Sequence, residues 1–261
     1  MYLHFSFDDV YHNIKDLSKH AAEYRSVFDN PFFGWMKSMH DTYGSVFSLY
    51  TFNQMSTDPD YDITCFPDCF AQELALHSHW LKFGFHAKDD QKKYDTDEPE
   101  QIREDYQKFL NAILYATGNH IDSIDRVPRL GFCKGTRENV LAIRDTEYGI
   151  QGLLGADDNR LLYYLGQEET SAFIEKGEFH ADQLLFLRSQ TRMEAVTSLE
   201  ALQQQIASYT GPGIIEVFSH EACWYYPGSH VEGFNVRQLC EAVIQWAHGA
   251  GYQFEVAQNI Y

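Results

Sequence analysis

The chain has 261 residues, a length that suits one large domain with a substantial buried core. Lysine and arginine number 20 against 38 aspartates and glutamates, a net charge of −18, which argues against nucleic acid and anionic membrane surfaces as partners because clustered basic residues bind both. Hydrophobic residues make up 44% and aromatic residues 15% of the chain, a composition that excludes a disordered protein.

Strands and helices are predicted to alternate along the chain. Short apolar, aromatic-rich runs predict strands over residues 2–7, 45–52, 80–85, 126–132, 151–156, 183–187, 213–218 and 252–256. Apolar positions three or four apart predict helices over residues 31–42, 66–78, 98–117, 135–147, 197–208 and 235–249. The alternation is typical of an α/β protein with a largely parallel sheet, and the absence of a linker indicates one closed or nearly closed barrel domain over residues 1–261. The long irregular segment from Asn53 to Pro67 is either a lid or a plain surface excursion.

Ionisable residues close the apolar runs of several predicted strands. They are Asp8 and Asp9, His86 with Asp89 and Asp90, Arg129, Asp157 with Asp158, and His220 with Glu221. Because active sites of β/α barrels lie beyond the carboxyl ends of the strands, we expect these side chains to meet. Each also has a structural interpretation, since an aspartate pair can cap a helix or form a turn and a histidine can be a hydrogen-bonded core residue.

The order of these residues matches the motifs of a known family. Ser6-Phe7-Asp8-Asp9-Val10 is similar to a Thr-Phe-Asp-Asp-Gly motif, although Val10 replaces the glycine, and Gly84 to Asp90 falls where a His-Ser/Thr-x-x-His motif is expected. Pro128-Arg129-Leu130-Gly131 and Phe218-Ser219-His220 are similar to the later arginine and leucine-x-histidine motifs. The chain thus resembles the polysaccharide deacetylases, metal-dependent enzymes that remove acetyl groups from sugars, and the resemblance implies a single distorted (β/α)7-type barrel.

The resemblance implies three catalytic residues. Asp8 would be the general base, Arg129 would hold it ionised, and His220 would be the general acid that protonates the leaving amine or alkoxide. A divalent ion would lower the pKa of a bound water and polarise the acyl oxygen, which provides a hydroxide-like nucleophile near neutral pH.

The resemblance also implies one divalent ion bound by Asp9, His86 and Asp90. Asp90 stands where the family has its second metal histidine, four residues after His86, and such residues share one face of a helical turn. Asp89 is the reserve ligand. One imidazole and two carboxylates suit zinc first, with manganese, iron and nickel as alternatives.

The predicted substrate-binding residues are Asp158, Trp224 and Tyr225. Trp224 and Tyr225 follow His220 in a turn-rich loop, and their flat aromatic faces can stack on a pyranose. Core packing is an equal alternative for Trp224. We expect a deacetylase or related hydrolase acting on a sugar or sugar-derived small molecule or oligosaccharide. The alternatives are a glycoside hydrolase in which Asp8 and Asp158 flank the glycosidic bond, and a catalytically silent carbohydrate-binding relative.

The amino-terminal residues and the cysteines bear on the compartment. Residues 1–9 lack the basic start and the apolar run of roughly 7–15 residues of a signal peptide. No uncharged stretch approaches the roughly 18 apolar residues of a membrane span. The five cysteines are irregularly spaced, which favours a reducing compartment, and Cys65 and Cys69 lack the second pair that a structural zinc would need. We therefore expect a cytoplasmic protein.

Overall fold

The computed structural model describes residues 1–211 and 213–261. Its strands are β1 (Tyr2–Val10), β2 (Phe47–Phe52), β3 (Gln54–Met55), β4 (Asp58–Asp62), β5 (Leu81–Ala87), β6 (Gly152–Leu154), β7 (Glu178–Ala181), β8 (Leu184–Leu187), β9 (Ser189–Arg192), β10 (Ile214–His220) and β11 (Gln253–Phe254). Its helices are α1 (His12–Lys19), α2 (Pro31–Tyr43), α3 (Ala71–Leu76), α4 (Pro99–Ala116), α5 (Arg137–Arg144), α6 (Gln167–Lys176), α7 (Leu199–Ala207), α8 (Glu221–Trp224) and α9 (Val236–Gly249).

The strands form a parallel central sheet that curls back on itself. The main sheet has the order β5-β2-β1-β10-β9, with β11 paired to the start of β1, and a second sheet has the order β6-β8-β7. Only Arg188 separates β8 from β9, so one length of chain belongs to both sheets. On the other side an extended segment joins β5 to β6, because Asp125 N donates to Phe83 O at 2.8 Å and Leu154 N donates to Pro128 O at 2.9 Å. The ring of strands is thereby nearly closed.

Seven of the eight predicted strands are present with shifted ends, and the predicted strand over 126–132 is wrong as a regular strand. Pro128 has no N–H to donate, and the segment joins β6 only through carbonyl groups that accept from it. A 3₁₀ turn over Gly131–Cys133 then reverses the chain, with left-handed φ values of 59° at Phe132 and 53° at Cys133. The turn places this segment over the carboxyl ends of the strands.

All six predicted helices are present, and the apolar stripe predicted in α4 is buried. Tyr106 and Phe109 pack on Phe85 of β5, with ring centroids 5.5 Å and 5.7 Å apart. Helices α1, α6 and α8, strands β7 and β9 and the β3–β4 hairpin were not predicted. Helix α1 lacks a local side-chain cap. The carboxylate of Glu221, which is distant along the chain, takes that role and accepts from the first backbone N–H groups of the helix.

No helix among the described residues has both the length and the apolar character needed to cross a membrane.

Candidate active site

A cavity of about 280 Å³ opens at the carboxyl ends of β1, β5 and β10. Six of the nine predicted site residues line it, namely Asp8, Asp9, His86, Asp90, Arg129 and His220. The rest of the wall includes Phe52, Phe132, Phe218, Asp157, Arg160 and Arg192. A larger groove of about 920 Å³ lies elsewhere, against α6, β7 and the end of α7. The smaller cavity is the candidate site because the ionisable side chains converge there.

Asp8 and Arg129 form a buried ion pair in the cavity wall. Both side chains are 3% exposed, and Arg129 Nη1 donates to Asp8 Oδ1 at 2.6 Å. The other guanidinium nitrogen, Nη2, donates to Ser189 Oγ at 2.6 Å and to Glu216 Oε1 at 3.1 Å, while the ring of Phe218 lies 3.9 Å from the guanidinium carbon. Burial lowers the pKa of Arg129, but the carboxylates of Asp8 and Glu216 outweigh that effect and raise it, so the guanidinium stays charged.

Behind Arg129 lies a second buried pair that the sequence analysis missed. His4 Nδ1 lies 2.5 Å from Glu216 Oε2, and the hydroxyl of Ser6 donates to Glu216 Oε1. Burial lowers the pKa of His4, but the charge and the hydrogen bond of the neighbouring Glu216 carboxylate raise it by more, so the net shift is upward. Arg129 thus contacts the carboxylates of both Asp8 and Glu216, and His4 contacts that of Glu216. The alternation His4, Ser6, Asp8 along β1 was the available signal, since every second residue of a strand faces the same side.

Asp9 reaches the same cavity as Asp8 because the backbone departs from regular strand geometry there. Its φ is 60°, and the pairing of β1 with β2 shifts register between Phe7 and Val10, as in a β-bulge. Asp9 Oδ1 then lies 3.1 Å from His86 Nε2. Burial raises the pKa of Asp9, but the hydrogen bond and the charge of His86 lower it by more. The bulge therefore lets neighbouring aspartates serve two different partners.

The ring of His86 is oriented by the backbone. Its Nδ1 lies 2.5 Å from the carbonyl oxygen of Arg129, which can only accept, so Nδ1 carries a proton and Nε2 faces Asp9. Burial lowers the pKa of His86, and the hydrogen bond with Asp9 and the charges of Asp8 and Asp9 raise it by more. A backbone carbonyl behind the ring is the arrangement that orients metal-binding histidines. His86 Nε2 and Asp9 Oδ1 thus fit a divalent ion as neighbouring ligands.

Asp90 lines the cavity, but other groups hold its carboxylate. Its oxygens accept from the backbone N–H of Ser56 at 2.7 Å, from the Ser56 hydroxyl at 3.0 Å and from the Gln91 amide at 2.8 Å. Ser56 lies in the turn between β3 and β4, within the long segment from Asn53 to Pro67. The predicted metal set of Asp9, His86 and Asp90 therefore stays a prediction, with its first two members in contact.

His220 pairs with Glu194, a further residue that is not among the predicted site residues. His220 Nδ1 contacts Glu194 Oε1, and the hydroxyl of Ser219 donates to Glu194 Oε2 at 2.9 Å. Burial lowers the pKa of His220, but the hydrogen bond and charge of Glu194, together with the charge of Asp8, raise it to about 9. Glu194 follows β9, a strand that was not predicted, so Glu194 was not recognised as a residue at a strand end.

The three predicted substrate-binding residues lie outside the cavity lining. The carboxylate of Asp158 is bound on both oxygens by the guanidinium of Arg160, at 2.8 Å and 2.6 Å. Trp224 is 6% exposed and packs on Phe32 and Trp35, so the core-packing alternative describes it. Tyr225 is half exposed and donates to Asn13 Oδ1.

Phe132 is an exposed aromatic residue on the cavity wall itself. Its side chain is 44% exposed, and the Lys93 ammonium lies 4.8 Å from its ring centroid. The sequence does not single out Phe132, because the apolar run over residues 126–132 predicts a strand. Phe132 is the exposed aromatic ring of the cavity lining, because Phe52 and Phe218 are buried.

Sequence comparison finds no matching family model and no matching curated protein. Structure comparison finds a family 4 acetyl xylan esterase from Clostridium thermocellum, in complex with a cobalt ion, with a TM-score of 0.54 and 12% identity. The match covers 100% of this chain and 90% of that one.

Two further structures match at a TM-score of 0.50. A peptidoglycan N-acetylglucosamine deacetylase is 11% identical over 100% of this chain and 87% of its own. The Xyl-CE4 domain of a multidomain xylanase, from the hindgut metagenome of Trinervitermes trinervoides, is 10% identical over 99% of this chain and 88% of its own. The chain therefore has the β/α fold of the polysaccharide deacetylases, with a sequence that has diverged to 10–12% identity from these three structures.

Proposed function

We propose that the protein is a metal-dependent hydrolase that removes an acyl group, in the simplest case acetyl, from a sugar or sugar-derived substrate. The supporting observation is the pairing of a buried carboxylate, Asp8, with Arg129 in the same cavity wall as the charged imidazole of His220. A buried ion pair contributes little net stability, so its presence beside a cavity favours a chemical role. The structural neighbours include an acetyl xylan esterase and a deacetylase of N-acetylglucosamine, which supports an acetylated sugar as substrate.

The proton transfers are assigned to Asp8 and His220. Asp8 accepts the proton of the attacking water, and Arg129 fixes the position of its carboxylate through the 2.6 Å contact. His220 then donates a proton to the leaving amine or alkoxide. Glu194 keeps His220 in its protonated form at neutral pH, as the acid role requires. The two residues thus act as base and acid because Arg129 contacts the carboxylate of Asp8 and Glu194 contacts the imidazole of His220.

The residues that would hold the ion are His86 through Nε2 and Asp9 through Oδ1, and Asp90, whose carboxylate accepts from Ser56, is the proposed third ligand. Zinc suits this donor set first, and manganese, iron and nickel are alternatives. When bound, the ion supplies polarisation of the acyl oxygen and activation of water. The contact of His86 Nδ1 with the Arg129 carbonyl oxygen keeps Nε2 of the ring directed at Asp9.

The test is acetate release from acetylated xylan and from N-acetylglucosamine oligomers, measured before and after chelation and after zinc is restored. We expect zinc-dependent release by the parent and release by Asp41→Asn, a control that removes an exposed carboxylate on α2. Asp8→Asn should bind zinc but release no acetate. Release that survives chelation, or an Asp8→Asn protein as active as the parent, would contradict the proposal.

A catalytically silent carbohydrate-binding protein is the second candidate, because the contacts of Asp90 with Ser56 leave the predicted metal set incomplete. Sugar affinity without acetate release, in protein purified without metal, would favour it. The glycoside hydrolase alternative loses support because Arg160 holds Asp158 outside the cavity lining that contains Asp8.

A further inference from the structure

A second set of ligating side chains lies beside the acid His220. One carboxylate oxygen of Glu194, one ring nitrogen of His220 and the sulfur of Cys223 lie within 4.8 Å of one another. Within residues 1–211 and 213–261 this is the only group of three histidine, cysteine or carboxylate side chains that meets this distance. It does not include Asp9 or His86, so it is distinct from the predicted metal set.

Local backbone geometry brings the three side chains together. His220 ends β10 and directly precedes α8, so Cys223, three residues later, lies on the same side of that first helical turn. Glu194 lies in the 3₁₀ turn Met193–Ala195 after β9, which pairs in parallel with β10. The Ser219 hydroxyl binds Glu194 Oε2 at 2.9 Å and leaves Oε1 directed at His220.

The donor set selects a class of cation. An imidazole nitrogen, a thiolate sulfur and a carboxylate oxygen are the ligands of zinc, and a sulfur ligand favours zinc and cadmium over magnesium, calcium and manganese. Each of the three side chains is partly exposed, so an ion can reach them from solvent. The nearby cation is Arg192, whose Nε lies 4.0 Å from Glu194 Oε1. The carboxylate and the thiolate together outweigh that single positive charge.

We propose that Glu194, His220 and Cys223 form a second cation site, specific for zinc and cadmium, whose occupation prevents His220 from donating a proton. The bound ion takes the place of the proton between His220 and Glu194, and that proton passes to solvent. The Cys223 thiol releases its proton to solvent as the sulfur binds, so binding strengthens as the pH rises. The inhibitory consequence rests on the function proposed above, whereas ion binding at the three side chains does not.

Cadmium titration of the metal-free chain of residues 1–261 tests binding without any turnover, because a thiolate bound to cadmium absorbs in the ultraviolet. Cys65 and Cys69 are exposed, so the starting protein carries Cys65→Ser and Cys69→Ser. We expect this protein to show the band and the further change Cys223→Ser to remove it. Glu194→Gln, which keeps the sulfur, should weaken cadmium binding by at least about tenfold. A band that persists in the Cys223→Ser protein would overturn the site, and so would equal affinity in a folded Glu194→Gln protein.

Inhibition is measured on the zinc-loaded chain as acetate release against added excess zinc. We expect Cys223→Ser to keep the parent turnover and to need at least about tenfold more zinc for equal inhibition. Equal sensitivity of the two proteins would overturn the inhibitory role. The two proposals fail separately: cadmium binding through Cys223 in a protein that never releases acetate refutes only the hydrolase, and zinc-dependent turnover without the cadmium band refutes only the second site.

Discussion

Replacement of Arg129 by methionine should destabilise the fold severely. The change keeps most of the side-chain volume against Phe218 but leaves the buried carboxylates of Asp8 and Glu216 without the guanidinium that lies 2.6 Å and 3.1 Å from them. Removal of one partner from a buried ion pair costs about 3–5 kcal/mol. At about 2–4 °C per kcal/mol for a chain of this size, the melting temperature should fall by about 6–20 °C.

The assay is thermal and urea unfolding of the parent, Arg129→Met and a matched control, Arg160→Met. The control removes an arginine whose contact with Asp158 is about half exposed, so it should cost at most about 1 kcal/mol. The loss of stability caused by Arg129→Met should be smaller in the double variant with Glu216→Gln, because the second change removes one of the two carboxylates left without the guanidinium. A loss no larger than that of the control would refute the assignment of Arg129 as the centre of a buried charge network.

Three further predictions concern the proton-transfer and metal residues. The pKa of His220 is raised to about 9, so the protonated acid is lost as the pH rises through that value and kcat/KM should fall near pH 9. Glu194→Gln should move this fall in kcat/KM to lower pH. A pH profile that Glu194→Gln leaves unchanged would count against the pairing of His220 with Glu194. His220→Ala should lower kcat by roughly 10²–10⁴-fold. Elemental analysis of metal-limited preparations should show an unchanged content of the ion at the Asp9 and His86 site. Loss of that ion would remove His220 from the acid role. Asp9→Ala should lose ion and turnover together whereas Asp8→Asn loses only turnover, and ion retained in full by Asp9→Ala would exclude Asp9 as a ligand.

The sequence predicted the parts of the fold that depend on local periodicity. Parallel strands buried on both faces appear as apolar runs, and the buried stripe of α4 repeats every three or four residues. The ends of the predicted strands therefore placed Asp8, His86 and His220 at one edge of the sheet, and in the structure the three residues line one cavity there. Helix α1 escaped prediction because its cap, Glu221, is more than 200 residues away along the chain.

The missed site residues depend on contacts that no local pattern encodes. Glu216 lies inside an apolar strand, and its partners His4 and Arg129 come from distant elements. Glu194 lies in a short turn whose position depends on the pairing of β9 with β10. Phe132 reaches the cavity wall only because the chain leaves strand geometry after Pro128, which a run of apolar letters does not reveal.

The left-handed backbone at Asp9 implies a conflict between stability and chemistry. At a φ of 60° an L-residue costs roughly 1–2 kcal/mol that glycine would not. A glycine at this position would relieve that strain and remove the carboxylate beside His86 in the same step. Random mutagenesis screened for heat resistance alone should therefore recover glycine at position 9, and asparagine, which tolerates this conformation well, should be the next most frequent replacement.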